Sequence, residues 1–194
     1  MDKQRLVQTA QALVADKKGI LAADESTGTI TRRFDSINVE STEKNRRDYR
    51  EMLFRTAGVS DFISGVILFD ETIRQDAADG TPIVKVLSDQ GIIPGIKVDK
   101  GTISLPSAPD ELVTEGLDGL RDRLNEYVEL GAGFTKWRAV ISITNDTPTS
   151  YGIAANAHAL ARFAALSQEA GLVPIVEPEI LRDGDHSIER CFEV

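Results

Sequence analysis

The run VPIVEPEIL at residues 173–181 carries acidic side chains on alternate positions, Glu177 and Glu179, of an otherwise apolar segment. Because successive side chains of a β-strand point to opposite faces, both carboxylates lie on one face of a strand formed by this run. Two further apolar runs show the same spacing of charged residues: Lys97 and Asp99 in one, and Lys136 and Arg138 in the other. An unpaired buried charge costs several kcal/mol, so we predict a shared polar interior in which these acids and bases pair.

Helical and strand-like patterns alternate five times along the chain, one helix before each strand. The predicted strands are residues 20–23, 63–69, 93–98, 134–141 and 173–181. Two of the predicted helices begin at Thr81-Pro82 and Thr147-Pro148, where threonine is the expected N-cap and proline the first helical residue. No linker or low-complexity segment interrupts the alternation, so we predict one α/β domain over residues 1–194.

The use of the strand faces distinguishes two architectures that share this alternation. Strands of an open, doubly wound sheet are apolar on both faces, whereas strands of a (β/α)8 TIM barrel point alternate side chains to the interior. The charged alternation therefore favours the barrel, here an incomplete barrel of five parallel strands with helices outside. Chemistry in barrels lies at the C-terminal ends of the strands. The polar residues at these ends are Asp24, Asp70, Lys97, Lys136, Arg138, Glu177 and Glu179.

The composition argues against several classes of partner. The formal net charge of −9 disfavours nucleic acid and anionic membranes, since both attract clustered lysine and arginine. Residues 1–18 lack the apolar core of a signal peptide, and no apolar run approaches the roughly 20 residues that span a bilayer. The single cysteine, Cys191, excludes an internal disulfide framework. We therefore expect a cytoplasmic protein.

Four motifs, in this order, resemble those of class I fructose-bisphosphate aldolases. They are GILAADESTG at 19–28, GIKVDKG at 95–101, KWR at 136–138 and VPIVEPEIL at 173–181, the last followed by DGDH at 183–186. The resemblance covers almost the whole chain. It implies a (β/α)8 barrel that reversibly cleaves fructose 1,6-bisphosphate to dihydroxyacetone phosphate and glyceraldehyde 3-phosphate in glycolysis, with neither a metal nor another cofactor. It also implies a homo-oligomer, usually a tetramer, for the complete enzyme.

The resemblance assigns catalytic roles to four residues. Asp24 takes the proton from the hydroxyl whose loss breaks the carbon–carbon bond. Glu177 acts as general acid and base while a carbinolamine forms and dehydrates, Lys136 assists through its charge, and Glu179 is in support. These residue types also suit the reaction independently of the resemblance. Two carboxylates and a lysine in one interior can push their pKa values apart, which supplies both a proton donor and a proton acceptor near neutral pH.

Four other residues are assigned to substrate binding by the same resemblance. Lys97 and Arg138 hold a substrate phosphate, and the hydroxyls of Ser26 and Thr29 help them. Hydroxyls and backbone amides that follow a strand are also suited to binding an anion on general grounds. The expected partner is therefore a small sugar phosphate.

The lysine that forms the iminium in this family is implied to lie on the sixth strand, in a Leu-Lys-Pro context, whereas the sequence stops at Val194 after the fifth strand. We therefore expect an N-terminal portion of an aldolase that lacks the Schiff-base lysine and the C-terminal strands, and that is inactive alone. Two alternatives stay open: a non-catalytic phosphosugar-binding or interaction protein made from a truncated barrel, and separate chains that complete one barrel. Five strands leave two sheet edges open, so we also expect a marginally stable, association-prone chain.

Several other charged groups are predicted to be structural. A charge network without catalysis is the alternative explanation of the alternating pairs, and Asp99 and Glu179 fit that role best. The mixed charges of residues 46–51 at helical spacing predict a solvated helix face. Lys100 alternates outward from Lys97, so we expect it on the surface.

Two acidic segments are expected to cap helices rather than to bind metal. Asp70 and Glu71 end the second predicted strand and precede a helix. Asp183, Asp185 and His186 precede the last helix, and a chain with two histidines and one cysteine offers few of the ligands that a metal-dependent aldolase requires.

Overall fold

The computed structural model describes residues 2–194, which contain seven strands and nine helices. The strands are β1 (Gly19–Ala23), β2 (Ile63–Leu68), β3 (Ile93–Lys97), β4 (Thr102–Leu105), β5 (Ala108–Thr114), β6 (Phe134–Ile141) and β7 (Val173–Ile180). The helices are α1 (Lys3–Leu13), α2 (Thr27–Asp35), α3 (Glu43–Phe54), α4 (Val59–Phe62), α5 (Asp70–Ile73), α6 (Ile83–Ser88), α7 (Leu120–Glu129), α8 (Ser150–Glu169) and α9 (Ile188–Glu193). None of the helices between residues 2 and 194 combines the length and the apolar character that crossing a membrane requires.

Five of the strands form one parallel sheet in the order β1-β2-β3-β6-β7. This order follows the chain without reversal, whereas a doubly wound sheet reverses its order at a switch point. The sheet also curls. In a flat sheet, β1 and β6 would lie about 14 Å apart, yet the Asp24 carboxylate just after β1 is 3.2 Å from the Lys136 ammonium on β6. The predicted barrel architecture is confirmed as a half-barrel of five parallel strands with helices.

The outer face of the half-barrel packs against the helices. Ile96, Trp137 and Ala139 alternate with the charged residues of β3 and β6, and all three are buried in the main hydrophobic core. Trp137 stacks on Phe163 of α8 with ring centroids 5.5 Å apart. The alternation in the sequence therefore separates an apolar outer layer from a charged inner face.

The two edge strands of the sheet are β1 and β7. On the outer face of β7, Val176 is 46% exposed, and the neighbouring helix α9 exposes Ile188 and Phe192. Both predicted open edges are therefore present in the fold. Marginal stability and self-association, which we expect from such edges, stay predictions.

The lower part of the barrel interior is apolar. Phe134 at the start of β6, Ile67 of β2 and Leu13 at the end of α1 form one buried cluster there. The Phe134 ring covers Gly95 on β3, its partner in the strand register, and a Cβ atom on Gly95 would lie 2.3 Å from the ring. Leu13, Ile67 and Phe134 thus form an apolar floor of the barrel interior, and the charged groups lie above it, at the C-terminal ends of the strands.

We expect Gly95→Ala to lower the free energy of unfolding by about 2–3 kcal/mol, because the added methyl group overlaps the Phe134 ring in a well-packed cluster. Urea unfolding of the purified chain measures the change. Gly19→Ala at the start of β1 is the matched control, since the space around Gly19 is open. Equal losses for the two variants would contradict this account of the floor.

An antiparallel hairpin between β3 and α7 is absent from the sequence-based prediction. Its strands β4 and β5 are joined through Pro106 and Ser107, and Ser107 has a φ of +65°. The Thr114 hydroxyl at the end of β5 donates to the Arg138 backbone oxygen at 2.7 Å, which docks the hairpin beside β6. The prediction of one helix and one strand per unit was wrong here, because these short strands lack the apolar character of the barrel strands.

The two predicted Thr-Pro helix starts are displaced. The N-cap of α8 is Thr149, whose hydroxyl accepts from the Gly152 amide at 3.0 Å. Glu111 of the hairpin accepts from the Thr149 amide at 2.9 Å, which holds the cap two residues beyond Thr147. Likewise Pro82 is the N-cap residue of α6 and not its first helical residue. Both prolines therefore precede the helices that we expected them to open.

Candidate active site

Lys136 lies at the centre of a charged cluster at the C-terminal mouth of the half-barrel. Its Nζ is 3.2 Å from Oδ2 of Asp24 and 3.0 Å from Oε2 of Glu177. Asp24 follows β1, Lys136 lies on β6 and Glu177 lies on β7, so three strands each contribute one group. The Lys136 side chain is only 10% exposed, so these two carboxylates replace most of its hydration.

The two lysines of the cluster have opposite pKa shifts. Burial lowers the pKa of Lys136, but attraction to Asp24 and Glu177 outweighs burial and leaves the pKa raised. Burial also lowers the pKa of Lys97, and the attraction of Asp24 and Asp99 does not compensate, so that pKa stays lowered. Lys136 is therefore held as an ammonium, whereas Lys97 gives up its proton more readily than an ordinary lysine.

Lys97 contacts the backbone beside the cluster. Its Nζ donates to the Asp24 carbonyl oxygen and lies 4.0 Å from the Asp24 carboxylate. The same ammonium is 5.1 Å from the centroid of the Phe69 ring, within the range of a cation–π contact. Lys97 and Lys136 are partners in the strand register, which points both side chains to the inner face. An ammonium has three N–H donors, so Lys97 keeps donors for a ligand.

Arg138 pairs with Glu179, and not with the central carboxylates. The Arg138 Nε donates to the Glu179 carboxylate, and this bond raises the pKa of Arg138. The Arg138 backbone amide donates to Asp99 at 3.4 Å. Glu179 therefore binds the side chain of Arg138, and Asp99 binds its backbone amide. Of the four residues assigned to catalysis, Glu179 alone lies outside the contacts of Lys136.

Ser26 and Thr29 lie at the start of α2, a helix that the strand-and-helix pattern did not predict. Ser26 is its N-cap, and its Oγ accepts from the Thr29 amide at 3.4 Å. The two hydroxyl oxygens are 3.1 Å apart. Both side chains therefore stand at the N-terminal end of a helix directly after β1, where an anion is favoured.

A cavity of 780 Å³ lies at this mouth, within the size range of small-molecule sites. Its walls include seven of the eight residues assigned to the site, all but Glu179: Asp24, Ser26, Thr29, Lys97, Lys136, Arg138 and Glu177. The sequence analysis gave no site role to seven other residues of the walls: Glu25, Phe69, Arg74, Gly101, Arg123, Glu126 and Tyr127. Lys100 is exposed as predicted, and it also lines this cavity.

The face formed by residues 46–51 is not solvated as predicted. Arg50 is fully buried, and the Arg46 side chain is 13% exposed. Arg46 forms a forked pair with Glu71, and Arg50 bonds to Thr72. Their partners lie more than 20 positions away in the sequence, so helical spacing alone suggested local pairs in water. The helical spacing of the charged residues does not show that one of the arginines, Arg50, is buried.

Asp70 and Glu71 lie in the first turn of α5, whose N-cap is Phe69. The capping role predicted for them is therefore wrong. Asp70 accepts from the Tyr127 hydroxyl at 2.8 Å and from Arg74, which fixes side chains at the rim of the cavity.

The capping role predicted for Asp183, Asp185 and His186 is also wrong, because Ser187 is the N-cap of α9 and accepts from the Arg190 amide at 3.2 Å. Over residues 2–194, no three His, Cys, Asp or Glu side chains are close enough together to hold a metal ion.

Comparisons with known proteins agree on one family. The model of class-I fructose-bisphosphate aldolases matches residues 5–194. A probable fructose-bisphosphate aldolase class 1 of Xanthomonas campestris is 63% identical over 194 residues, which cover 100% of this chain and 58% of that protein. Cytosolic fructose-bisphosphate aldolase 4 of Arabidopsis thaliana is 56% identical over 189 residues, which cover 97% of this chain and 48% of that protein.

A solved structure shows the same fold. Fructose-bisphosphate aldolase of Plasmodium falciparum, crystallised with TRAP and a small-molecule inhibitor, matches with a TM-score of 0.95 at 53% identity. The match covers 97% of this chain and 55% of the Plasmodium chain, so the sequence spans about half the length of the relatives that it resembles. The family model matches residues 5–194, and the Xanthomonas campestris relative is 63% identical over the whole chain. The chain therefore belongs to the class-I fructose-bisphosphate aldolase family.

Proposed function

We propose that the chain supplies the proton-transfer groups and one phosphate site for the cleavage of fructose 1,6-bisphosphate to dihydroxyacetone phosphate and glyceraldehyde 3-phosphate. The observation that carries the proposal is the Lys136 ammonium held between the Asp24 and Glu177 carboxylates at the wall of a cavity. We further propose that the lysine of the Schiff base comes from a segment outside residues 1–194, as the family resemblance implies.

Cleavage of the carbon–carbon bond requires an electron sink beside it and a base for the hydroxyl proton. A lysine iminium is such a sink, since the electrons of the broken bond move toward its nitrogen. Asp24 accepts the hydroxyl proton as the aldehyde forms. Glu177 donates and accepts protons while the carbinolamine forms and loses water. Lys136 stays protonated beside both carboxylates and stabilises the negative charge that remains on them.

The phosphate site of the proposal is formed by Lys97, Arg138, Ser26 and Thr29. Lys97 lies at the cavity and uses one of its N–H donors on the Asp24 carbonyl oxygen. Arg138 is half-exposed and is engaged by Glu179, so a phosphate has to share it with this carboxylate. Two cations and a helix N-terminus that line one cavity favour a dianion. Glu179 then acts on the substrate through Arg138.

The proposal extends to location and assembly. We place the protein in the cytoplasm, which agrees with the two Arabidopsis relatives called cytosolic. The resemblance also implies a homo-oligomer for the complete enzyme. The ligand is a small sugar phosphate, and a chain of net charge −9 has no general attraction for nucleic acid.

Borohydride trapping with dihydroxyacetone phosphate tests the covalent step. We expect no stable adduct on the 194-residue chain, and an adduct with cleavage activity once the chain is fused to the C-terminal part of the Xanthomonas campestris relative, the part beyond its match to residues 1–194. An adduct on Lys97 or Lys136 of the chain alone would overturn the assignment of the lysine.

The fusion also tests the wider proposal. A folded fusion that neither binds nor cleaves fructose 1,6-bisphosphate would overturn the proposed function. If the chain alone binds the sugar bisphosphate and the fusion binds it without cleavage, the non-catalytic phosphosugar-binding alternative is favoured instead.

A further inference from the structure

Arg50 is the one arginine among the fully buried large side chains between residues 2 and 194. It comes from α3, outside the sheet, and reaches under the loop that follows β1. Its Nη1 donates to the Thr72 hydroxyl at 2.6 Å, and its Nη2 donates to the Glu25 backbone oxygen at 2.7 Å. Burial lowers the pKa of Arg50, and the nearby Glu25 carboxylate, 3.8 Å from Nη2, opposes that effect.

Arg50 and Lys97 hold two consecutive carbonyl groups. Lys97 donates to the oxygen of Asp24, and Arg50 donates to the oxygen of Glu25. The centroid of the Phe69 ring is 5.1 Å from the Lys97 ammonium and 5.8 Å from the Arg50 guanidinium, so the ring contacts both cations. Two cations from different elements therefore fix the backbone from which the Asp24 carboxylate reaches Lys136.

The two cations differ in what they can still do. Lys97 lines the cavity and has donors left, so a phosphate can draw it away from the Asp24 carbonyl. Arg50 is fully buried and contributes nothing to the cavity wall, so a ligand cannot recruit it. The Glu25 carbonyl thus stays held when the Asp24 carbonyl is released.

We propose that Arg50 is a positioning residue, which keeps the Asp24 carboxylate on the Lys136 ammonium by holding the Glu25 carbonyl. The catalytic value of this contact rests on the proposed function, in which Asp24 is the base. The contact between Arg50 and the Glu25 carbonyl does not depend on the proposed function, and its effect on Asp24 can be tested without substrate. Arg50 acts through the backbone and touches no reacting atom.

The simpler explanation is that Arg50 only anchors α3 to the half-barrel. The two explanations predict opposite signs for the titration of Lys136. Loss of one cation, by itself, raises the pKa of a neighbouring lysine or leaves it unchanged. Loss of the Asp24 contact lowers it, because Asp24 is the first of the attractions that hold the pKa of Lys136 up against burial. The other groups that face Lys136 are Glu177 on β7 and Lys97 on β3.

The test is the titration of Lys136 in the full 194-residue chain, followed by NMR of 13C-labelled lysine, with the signal assigned through Lys136→Arg. We expect the titration to move to lower pH in Arg50→Met and by a smaller amount in Arg50→Lys, which keeps the charge but has a single nitrogen in place of the two Nη atoms that bond to Thr72 and Glu25. Arg46→Met is the matched control. Arg46 lies one turn earlier on α3, is 13% exposed and bonds to Glu71, with no hydrogen bond or ion pair to residue 24 or 25.

Each outcome decides the proposal. A titration that stays or rises in Arg50→Met, or that falls equally in Arg46→Met, would overturn it. If Arg50→Met does not fold, Arg50→Lys decides alone, and a Lys136 titration equal to that of the parent chain would then count against positioning. Calorimetry with fructose 1,6-bisphosphate is run separately on the chain fused to the C-terminal part of the Xanthomonas campestris relative. Absence of binding there contradicts the proposed function and leaves the result for Arg50 intact.

Discussion

Asp24→Asn is expected to reduce the rate of fructose 1,6-bisphosphate cleavage by about 10²- to 10⁴-fold, the usual contribution of a general base. The assay uses the chain fused to the C-terminal part of the Xanthomonas campestris relative. The amide keeps the size of the carboxylate but cannot accept the hydroxyl proton in its place. We expect kcat to fall and KM to change little, since the proposed phosphate contacts are made by other residues.

Asp99→Asn is the matched control for this result. Asp99 is also an acid that follows a barrel strand and lines the same cavity, yet its carboxylate accepts from the backbone amides of Gly101 and Arg138. We expect its substitution to change kcat by less than about tenfold, because neither contact involves a transferred proton. Equal losses for the two variants would mean that the site depends on its total negative charge and that Asp24 has no special role.

The strand patterns predicted the fold because each strand has one apolar face toward the helices and one charged face toward the barrel interior, and both faces appear in the alternation of the sequence. Trp137 and Ala139 face the helices while Lys136 faces the interior, and the sequence shows both faces at once. The charged pairs also predicted where the charged cluster lies, since buried charges require partners and parallel strands align their ends. The strand patterns did not predict which partner each charged residue pairs with. Glu179 belongs with Arg138, although it shares a face with Glu177.

Residues outside the strands were harder to assign because their partners are distant in sequence. Arg50 pairs with Thr72 and with the carbonyl of Glu25, and nothing in residues 46–51 distinguishes it from an exposed arginine. The hairpin of β4 and β5 was not predicted, for a related reason. Its strands are stabilised by contact with β6 and α8, and their own sequence has little of the apolar character that marks a barrel strand.

Removal of the central cation should have the largest effect on stability. We expect Lys136→Met to lower the free energy of unfolding by about 3 kcal/mol, near the lower end of the cost of breaking a buried ion pair. Methionine keeps the length and packing of the lysine stem but leaves Asp24 and Glu177 without their common partner. Glu177 is 34% exposed and can turn toward water, whereas Asp24 is 10% exposed and cannot do so to the same extent.

The control for this variant is Arg121→Met, which breaks an ion pair with Glu169 on the surface. Both partners of that pair are about 60% exposed and stay hydrated when the pair is broken, so the loss should be much smaller than that for Lys136→Met. Urea unfolding of the two variants and of the parent chain provides the comparison. A loss for Lys136→Met as small as that for Arg121→Met would show that the central ammonium is as well solvated as a surface group.

The pH dependence gives an independent check on the same ion pairs. The pKa of Lys136 is raised in the folded chain, so its stabilisation is fully present below the ordinary lysine pKa of 10.5 and is lost as the pH rises through the folded value. The difference in unfolding free energy between the parent chain and Lys136→Met should therefore be equal at pH 7 and at pH 9. A difference that shrinks by pH 9 would mean that burial outweighs the carboxylates, and Lys136 would then titrate early, as Lys97 does.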